Sequence, residues 1–245
     1  MTALERLEKL GFSERDARTL ADHFLDAEAR GKSGHGLSRI DWLETLPDID
    51  PAARPQRAIA EEGYELWEGH GALGYLTLAA VCDAQLQSPP RKARVVVARE
   101  CFPTGMLGHW VRRLAEGGLV ALLTATSPRR LAHPEGGPKL AGTNPLAIGI
   151  PSSGGQPVVA DVSMAKVTHG EVLAGLAPPD DVVPFGGEQA HKAFALAVGL
   201  QLFVDSLAGE SHGAVMVVAH PEADPVPAFR ALADGLRLPG DGSRG

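Results

Sequence analysis

The sequence predicts a mixed α/β fold in which a central sheet is covered by helices. Two observations carry this prediction. Apolar residues recur at helical spacing near the N-terminus, and short β-branched runs alternate with helix-like stretches from about residue 72 onward. A chain of 245 residues with 44% hydrophobic residues is long enough to bury a sizeable core of this kind.

The N-terminal part is predicted to be a separate helical lobe. Ser13 and the acidic residues after it resemble a capping box, so a helix is expected over about 13–29. A second, short helix is expected over about 37–45. Because prolines interrupt the chain at 47–55, we place a boundary there between an N-terminal lobe, 1–58, and a sheet core, 59–245.

The sheet core is predicted from its alternating pattern. Expected strands lie at 94–98, 119–124, 146–150, 158–162 and 214–219, and expected helices at 72–87, 106–115, 189–208 and 226–236. The last residues, 239–245, are expected to fray.

Charge and cysteine content narrow the function classes. A formal net charge of -7 without a long basic run argues against nucleic acid or an anionic membrane as a partner. Two cysteines are too few for a disulfide scaffold, and no apolar run reaches the roughly 18 residues of a membrane span. The sequence therefore predicts a cytoplasmic protein without membrane or nucleic-acid partners, and no metal-ligand spacing appears.

A glycine- and proline-rich segment, 136–151, leads into one of the predicted strands. Within it, Thr143 and Asn144 carry hydrogen-bonding side chains, and Pro145 is expected to restrict Asn144 to extended conformations. Glycines allow close ligand approach. The segment is either a ligand-binding loop or a well-formed turn.

His35 and Arg39 form a second candidate site. If their segment is helical, the two side chains are four residues apart and share one face. An imidazole can exchange a proton with a carbonyl or hydroxyl, and a guanidinium can bind a carboxylate bidentately. The pair suits a 2-oxo or 2-hydroxy acid, and the alternative is a surface pair on a helix turn.

Two further segments suit a nucleotide. Asp161 ends a predicted strand, where it can accept hydrogen bonds from ribose hydroxyls or cap a helix. Lys192 lies at the start of a predicted helix after a glycine pair, where an anion can bind, although it can also be an ordinary solvated lysine.

Two other motifs carry less chemistry. Residues 69–74 fit G-x-G-x-x-G, but 64–68 is at best a weak strand, so a glycine-rich helix entry is favoured over a dinucleotide-binding loop. Cys101 is either a thiol nucleophile or a small buried hydrophobe, and the second is favoured.

Taken in order, these segments resemble the type-two malate/L-lactate dehydrogenase family, which includes ureidoglycolate and sulfolactate dehydrogenases and cyclic imino acid reductases. The resemblance spans nearly the whole chain. The family patterns S-H-G-x-x-R, G-G-x(n)-G-T-N-P-[IL]-A, D-x-A-T-S, G-G…K-G-[YF] and P-G-[ED] are similar to residues 34–39, 136–147, 161–165, 186–194 and 239–241.

The resemblance implies a non-Rossmann NAD(P)-binding fold with a mixed, largely antiparallel sheet, usually in a homodimer. It implies hydride transfer between NAD or NADP and a small 2-hydroxy/2-oxo acid or a cyclic imino acid. Arg39 would then bind the substrate carboxylate beside His35, and Thr143 and Asn144 are assigned to the substrate as well. The residues assigned to the cofactor are Thr126, Asp161, Val162, Ser163, Lys192, Ala193 and Phe194.

The sequence also departs from the family. The histidine that usually exchanges the proton is Cys101 here, the serine before His35 is Gly34, and the tyrosine four residues after Arg39 is Leu43. Two hypotheses follow. The chain is a dehydrogenase in which His35 or an ordered water replaces the lost acid/base, or a non-catalytic relative that binds nucleotide or acts in assembly. A thiol enzyme that uses Cys101 is a third alternative.

Overall fold

The computed structural model of the chain, which describes residues 1–241, has a seven-stranded sheet with helices on both faces. The helices are α1 (Ala3–Lys9), α2 (Glu14–Ala29), α3 (Ser38–Leu43), α4 (Gly74–Gln87), α5 (Leu107–Glu116), α6 (His169–Leu173), α7 (Ala190–Ala208) and α8 (Val226–Ala233). The strands are β1 (Gln56–Ala60), β2 (Tyr64–Glu68), β3 (Ala93–Arg99), β4 (Val120–Ala125), β5 (Leu131–Ala132), β6 (Lys139–Ala141), β7 (Leu146–Ile150), β8 (Val158–Val162) and β9 (Gly213–Ala219). Every helix and strand expected from the sequence is present, with ends that differ by up to three residues.

The strand order in the large sheet is β1-β2-β3-β9-β4-β7-β8, and β5 and β6 form a separate small sheet. Within the large sheet, β2 and β3 run parallel, and the other neighbouring pairs are antiparallel. The predicted mixed, largely antiparallel sheet covered by helices is confirmed.

The two faces of the sheet are covered differently. Val96 and Met216 are paired across β3 and β9 and point into the main core with α4 and α5. Their neighbours Val97 and Val215 point to the other face, where they pack against Val204 of α7. Side chains on a strand alternate between faces, so one valine run serves both layers.

The N-terminal helices pack onto the main core. The Ser13 hydroxyl accepts a hydrogen bond from the Asp16 backbone N–H at 3.3 Å, which confirms the predicted start of α2. Leu20 and Phe24 of α2 are buried in the same cluster as Leu123 of β4. The division of the chain at residue 58 stays a prediction.

The sequence underestimates β2. Glu65 is fully buried there, and its carboxylate accepts hydrogen bonds from Trp67 Nε1 at 3.0 Å and Gln85 Nε2 at 2.9 Å and pairs with Arg94 at 3.2 Å. These partners compensate the buried carboxylate of Glu65, a charged residue whose presence makes the segment look unlike a buried strand in the sequence. A strand therefore does precede the glycine motif at 69–74, contrary to expectation.

The glycine motif nevertheless packs against protein. A Cβ on Gly69 would lie 2.3 Å from the Glu100 carbonyl oxygen, and one on Gly74 would lie 2.7 Å from that of Pro103. The Glu100 carboxylate accepts a hydrogen bond from the His70 backbone N–H at 3.1 Å. Close backbone packing explains these glycines, and the carboxylate opposes an anion at this helix start.

The segment at Pro239 is held in place. The Pro239 carbonyl accepts a hydrogen bond from the Val159 N–H at 3.0 Å, and Asp241 forms an ion pair with Arg230 at 2.9 Å. The expected fraying is therefore wrong for 239–241, and the rest of the predicted tail, 242–245, lies outside the described residues.

Helix α7 buries one narrow face. Ala193, Ala197 and Val204 face the protein, whereas Leu202 is 63% exposed and Phe203 45% exposed. The long apolar helix expected over 189–208 is therefore buried on one side only. Within residues 1–241, no helix is both long and apolar enough to cross a membrane.

Candidate functional site

A cleft opens where the turn at 31–35 meets the start of β7 and the end of β8. It has two small compartments, of about 110 and about 90 Å³. The first, here called the acidic compartment, is lined by Gly31, Lys32, Gly34, His35, Gly105, Met106, Leu107, Thr143, Pro145, Asp161, Ser163, Thr168 and Glu171. The second, the arginine compartment, is lined by His35, Arg39, Tyr75, Phe102, Pro103, Thr104, Gly105, Ser127, Pro128, Arg130, Thr143, Pro145, Thr168, His169 and Gly170.

His35 lines both compartments and lies on a 3₁₀ turn (Ser33–His35). This turn packs closely against α6 through Gly34 and Gly170. A Cβ on Gly34 would lie 2.7 Å from the Glu171 backbone nitrogen, and one on Gly170 would lie 2.0 Å from the Gly34 oxygen. This contact explains why Gly34 stands where the family pattern has serine.

His35 is uncharged at neutral pH. Burial and the charge of Arg39 lower the pKa of His35 to about 4, against the opposing effect of Glu171. A neutral imidazole can donate one hydrogen bond and accept another. His35 therefore suits hydrogen bonding to a substrate oxygen or to a water.

Arg39 follows in α3, so the condition that one helix carries both residues is not met, because Gly36 separates the 3₁₀ turn from α3. The two side chains nevertheless line the same compartment. Arg39 is only 7% exposed, its guanidinium lies 4.0 Å from the Trp42 ring centre, and its Nε has no hydrogen-bond partner. A buried guanidinium without an anion is costly, so the geometry suits an incoming carboxylate.

Two side chains that sequence analysis missed complete the arginine compartment. Burial raises the pKa of the Tyr75 hydroxyl, and the adjacent charge of Arg39 opposes that rise. Burial lowers the pKa of His169, and the charges of Arg130 and Arg39 lower it further. Neither residue carries a local sequence signal, because α4 and α6 bring them to the cleft from distant positions.

Thr143 and Asn144 are neighbours with different roles. Thr143 lines both compartments, and its backbone N–H donates to Ser127 Oγ at 3.1 Å. The Asn144 side chain is fully buried, and its Nδ2 donates to the Ala197 carbonyl at 2.9 Å and to Gln201 Oε1 at 3.0 Å. Asn144 thus supports the loop from beneath.

The backbone of Asn144 also differs from expectation. Its φ is +23°, not the extended value expected before a proline. Asparagine tolerates positive φ better than most residues, and the hydrogen bonds of its side chain hold this one in place. The loop is therefore both a tight turn and a wall of the cleft.

Asp161 and Ser163 line the acidic compartment as predicted positions at the end of β8. The Asp161 carboxylate accepts a hydrogen bond from the Gly108 N–H at 2.8 Å, in the first turn of α5. Burial raises the pKa of Asp161, which this hydrogen bond opposes. Ser163 Oγ accepts a hydrogen bond from the Ala165 N–H at 3.2 Å.

A groove of about 350 Å³ continues outward from Asp161 and is here called the cationic groove. Arg112 donates from Nη2 to the Gly240 carbonyl at 3.0 Å, while its buried Nε has no partner. Val162 is 45% exposed in this groove. The side chains that line it are Arg30, Lys32, Met106, Arg112, Val159, Asp161, Val162, Arg237, Pro239 and Asp241, with Gly108, Ala160 and Gly240.

The other residues assigned to the cofactor lie outside the two compartments and the cationic groove. Thr126 is buried, and its hydroxyl accepts a hydrogen bond from the Gly213 N–H at 2.9 Å. On α7, Lys192 is exposed, Ala193 is buried, and the Phe194 ring packs edge-on against His133 at 5.2 Å. Their assignment stays a prediction.

Cys101 is a buried hydrophobe. It is fully buried, its Sγ lies 3.8 Å from the Gly74 carbonyl oxygen, and burial raises the pKa of Cys101 to about 12. The thiol is therefore protonated at neutral pH and lines neither compartment. This geometry removes the basis for a thiol enzyme. Among residues 1–241, no group of three or more metal-binding side chains is assembled.

The sequence profile of a family described as malate/L-lactate dehydrogenase matches residues 2–177. The (2R)-3-sulfolactate dehydrogenase (NADP(+)) of Chromohalobacter salexigens is 31% identical over 175 residues, which cover 70% of this chain and 52% of that protein. A Delta(1)-pyrroline-2-carboxylate/Delta(1)-piperideine-2-carboxylate reductase of Pseudomonas putida is 30% identical over 230 residues, which cover 81% of this chain and 66% of the reductase. The chain thus spans about half the length of the first of these relatives.

The fold agrees with solved structures. The delta1-piperideine-2-carboxylate reductase from Pseudomonas syringae superposes with a TM-score of 0.80 at 22% identity, covering 98% of this chain and 89% of that one. At that identity the likeness establishes the fold, and the profile, which matches most of the chain, establishes the family. This chain belongs to the malate/L-lactate dehydrogenase family.

Proposed function

We propose that the cleft binds NAD or NADP and catalyses reversible hydride transfer to a small 2-oxo acid or cyclic imino acid. The observation that carries this proposal is Arg39, a buried guanidinium whose Nε lacks a partner, beside the neutral imidazole of His35. The two compartments are small, which suits an acid of a few carbon atoms.

The residues present fit a nicotinamide dinucleotide. Arg112 Nε is buried without a partner, and Lys32 and Arg237 line the same groove, so cations are available for phosphate groups. Asp161 and Ser163 offer acceptors for hydroxyl groups where this groove meets the acidic compartment. When bound, the cofactor supplies or accepts the hydride.

Arg39 and His35 divide the remaining work. Arg39 binds the substrate carboxylate and so orients the C2 atom. His35 donates its N–H to the C2 oxygen or nitrogen, where negative charge develops as the hydride arrives, much as a neutral histidine polarises a carbonyl. Because a pKa of about 4 leaves little imidazolium at neutral pH, the proton comes from a water that His35 orients.

Two measurements test the proposal together. Fluorescence titration is expected to show saturable binding of NADH or NADPH, and turnover is expected with at least one member of a panel of 2-oxo acids and cyclic imines. The absence of both saturable binding and turnover would overturn the proposal.

A second candidate is a non-catalytic relative that binds nucleotide. It is favoured by the burial of Cys101, which leaves no acid/base at the family histidine's sequence position within the cleft. Tight cofactor binding without turnover across the panel would support it over the enzyme.

The proposal includes a cytoplasmic homodimer. Both cysteines are free and buried, as suits a reducing compartment. The outer face of α7 exposes Leu196, Leu202, Phe203 and Leu207, an apolar surface that a second copy would bury.

Light scattering tests the homodimer. The chain is expected to be a dimer, and Phe203→Glu is expected to be a monomer with intact fold. Leu25→Glu on α2, a similarly exposed position, serves as the control. A monomeric wild type, or a dimer that survives Phe203→Glu, would contradict this interface.

A further inference from the structure

The arginine compartment holds two guanidinium groups and no carboxylate among its described lining residues. Arg39 comes from α3, and Arg130 comes from the segment between β4 and β5. The proposed function uses only Arg39. The second cation therefore needs its own explanation.

The backbone of Arg130 is held by a hydrogen bond, whereas its guanidinium has no partner among the described residues. Its N–H donates to the Ala141 carbonyl at 2.8 Å, beside the pairing of Leu131 with Ala141. Its guanidinium forms no hydrogen bond or ion pair with any residue in 1–241. Burial is the sole cause that lowers the pKa of Arg130. Arg129, by contrast, is exposed.

The positive charges of Arg130 and Arg39 both act on His169. After burial, the charges of Arg130, Arg39 and Lys139 are the causes that lower the pKa of His169. His169 is therefore neutral and does not add to the positive charge. One substrate carboxylate bound to Arg39 would leave Arg130 partly buried and uncompensated, which is unfavourable.

We propose that Arg130 binds a second acidic group of the substrate. The cleft then selects small 2-oxo or 2-hydroxy acids with two acidic groups, dicarboxylates or carboxylate-sulfonates, over monocarboxylates and cyclic imines. This inference rests on the proposed function and names its substrate class. Arginine suits either acidic group because its planar donors bind carboxylate and sulfonate oxygens alike.

The first test is steady-state kinetics with the better of NADH and NADPH. Oxaloacetate and 3-sulfopyruvate are compared with 2-oxobutanoate and Δ1-piperideine-2-carboxylate. The wild type is expected to prefer one or both dianions by about 10- to 100-fold in kcat/KM, the value of a charged hydrogen bond. Arg130→Met is expected to remove this preference, mainly through KM, while Arg129→Met keeps it.

A wild type that prefers the monoanions, or an Arg130→Met variant that slows all four substrates equally, overturns the inference. Which dianion is preferred distinguishes carboxylate from sulfonate. Unfolding temperatures of both variants serve as a check on folding, and Arg130→Met is expected to keep that of the wild type because its guanidinium has no protein partner.

The second test does not require turnover. Calorimetry is expected to show that malate binds more tightly than 2-hydroxybutanoate and that Arg130→Met abolishes the difference. If no substrate turns over but this result holds, the inference stands and the proposed enzyme activity fails. Equal binding of the two acids by the wild type overturns the inference even where the chain is an active dehydrogenase.

Discussion

The acidic and arginine compartments share His35 and Thr143 but differ in the charged groups that line them. Among the described residues, the first is lined by the carboxylates Asp161 and Glu171 with Lys32 as its one cation, and the second by Arg39 and Arg130 with no carboxylate. The difference teaches how one small cleft can hold two different groups. Carboxylates accept from hydroxyls, and unpaired guanidinium groups bind acids, so the cofactor and the substrate are expected on opposite sides of His35.

The largest expected effect comes from the arginine compartment. Arg39→Met is expected to lower kcat/KM for a 2-oxo acid about 100-fold, or about 3 kcal/mol, because the carboxylate loses a charged, bidentate partner. Cofactor affinity is expected to stay unchanged. Steady-state kinetics and cofactor titration measure the two.

Arg39→Lys is the matched control, since it keeps the charge but not the planar fork, and an intermediate rate is expected. The unfolding temperatures of both variants serve as a check on folding, because Arg39→Met also removes the contact of the guanidinium with the Trp42 ring and the Tyr75 hydroxyl. If Arg39→Met lowered cofactor affinity as much as turnover, the assignment of the substrate and the cofactor to separate compartments would be contradicted.

A pH effect on stability is expected from the residue that both compartments share. The folded-state pKa of His35 is about 4 and its unfolded value is 6.5. Its contribution is therefore complete above pH 6.5 and is lost as the pH falls through 4. Partial exposure of the ring reduces the loss to about 2 kcal/mol.

Denaturant unfolding of the wild type and His35→Gln at several pH values between 7.5 and 4 checks this. The variant is expected to show a shallower acid loss, while His23, buried and also with a lowered pKa, keeps part of the slope in both proteins. Identical slopes would mean that His35 is well solvated.

A change in the acidic compartment is expected to act on the cofactor. Asp161→Asn keeps an acceptor for the Gly108 N–H but removes the negative charge, so the Kd for NADH or NADPH is expected to rise about tenfold. Asp22→Asn on the exposed surface of α2 is the control. A changed KM for the 2-oxo acid with an unchanged cofactor Kd would reverse the assignment of the compartments.

The smallest effect is expected from Tyr75→Phe. The ring contacts with Phe24 and His23 remain, and only the hydroxyl beside Arg39 is lost. The rate is expected to fall by no more than about tenfold. A fall above about 100-fold in kcat, with unchanged KM, would make Tyr75 the proton donor in place of the water oriented by His35.

Much of the fold could be predicted because its elements carry local signals. The cap at Ser13 and the valines of β3 are of this kind. Strand β2 could not be recognised, because a glutamate in the sequence indicates a surface position. Glu65 is buried only because Arg94 and Gln85, which are distant in the sequence, pair with its carboxylate. Helix α1 carries a capping box at Thr2 and Glu5 that sequence analysis overlooked.

The site could be predicted less completely. His35 and Arg39 are brought together, but by two elements rather than one helix. Thr143 and Asn144 look alike in the sequence, but Thr143 is half-buried whereas Asn144 is fully buried and donates hydrogen bonds to Ala197 and Gln201 of α7. Arg130 has no local sequence signal, because its candidate role depends on lining the same compartment as Arg39, which is distant in the sequence.

The most direct test of a nicotinamide-dependent site in this cleft is the oxidation of bound NADH or NADPH in a single turnover. Wild type and Arg39→Met are each loaded with the cofactor that binds more tightly and mixed with increasing 2-oxo acid. The wild type is expected to oxidise the cofactor at a rate that saturates with the acid, and the variant to bind the cofactor but oxidise it at least about 100 times more slowly. Equal rates in the two proteins, or no cofactor binding in either, would contradict the account.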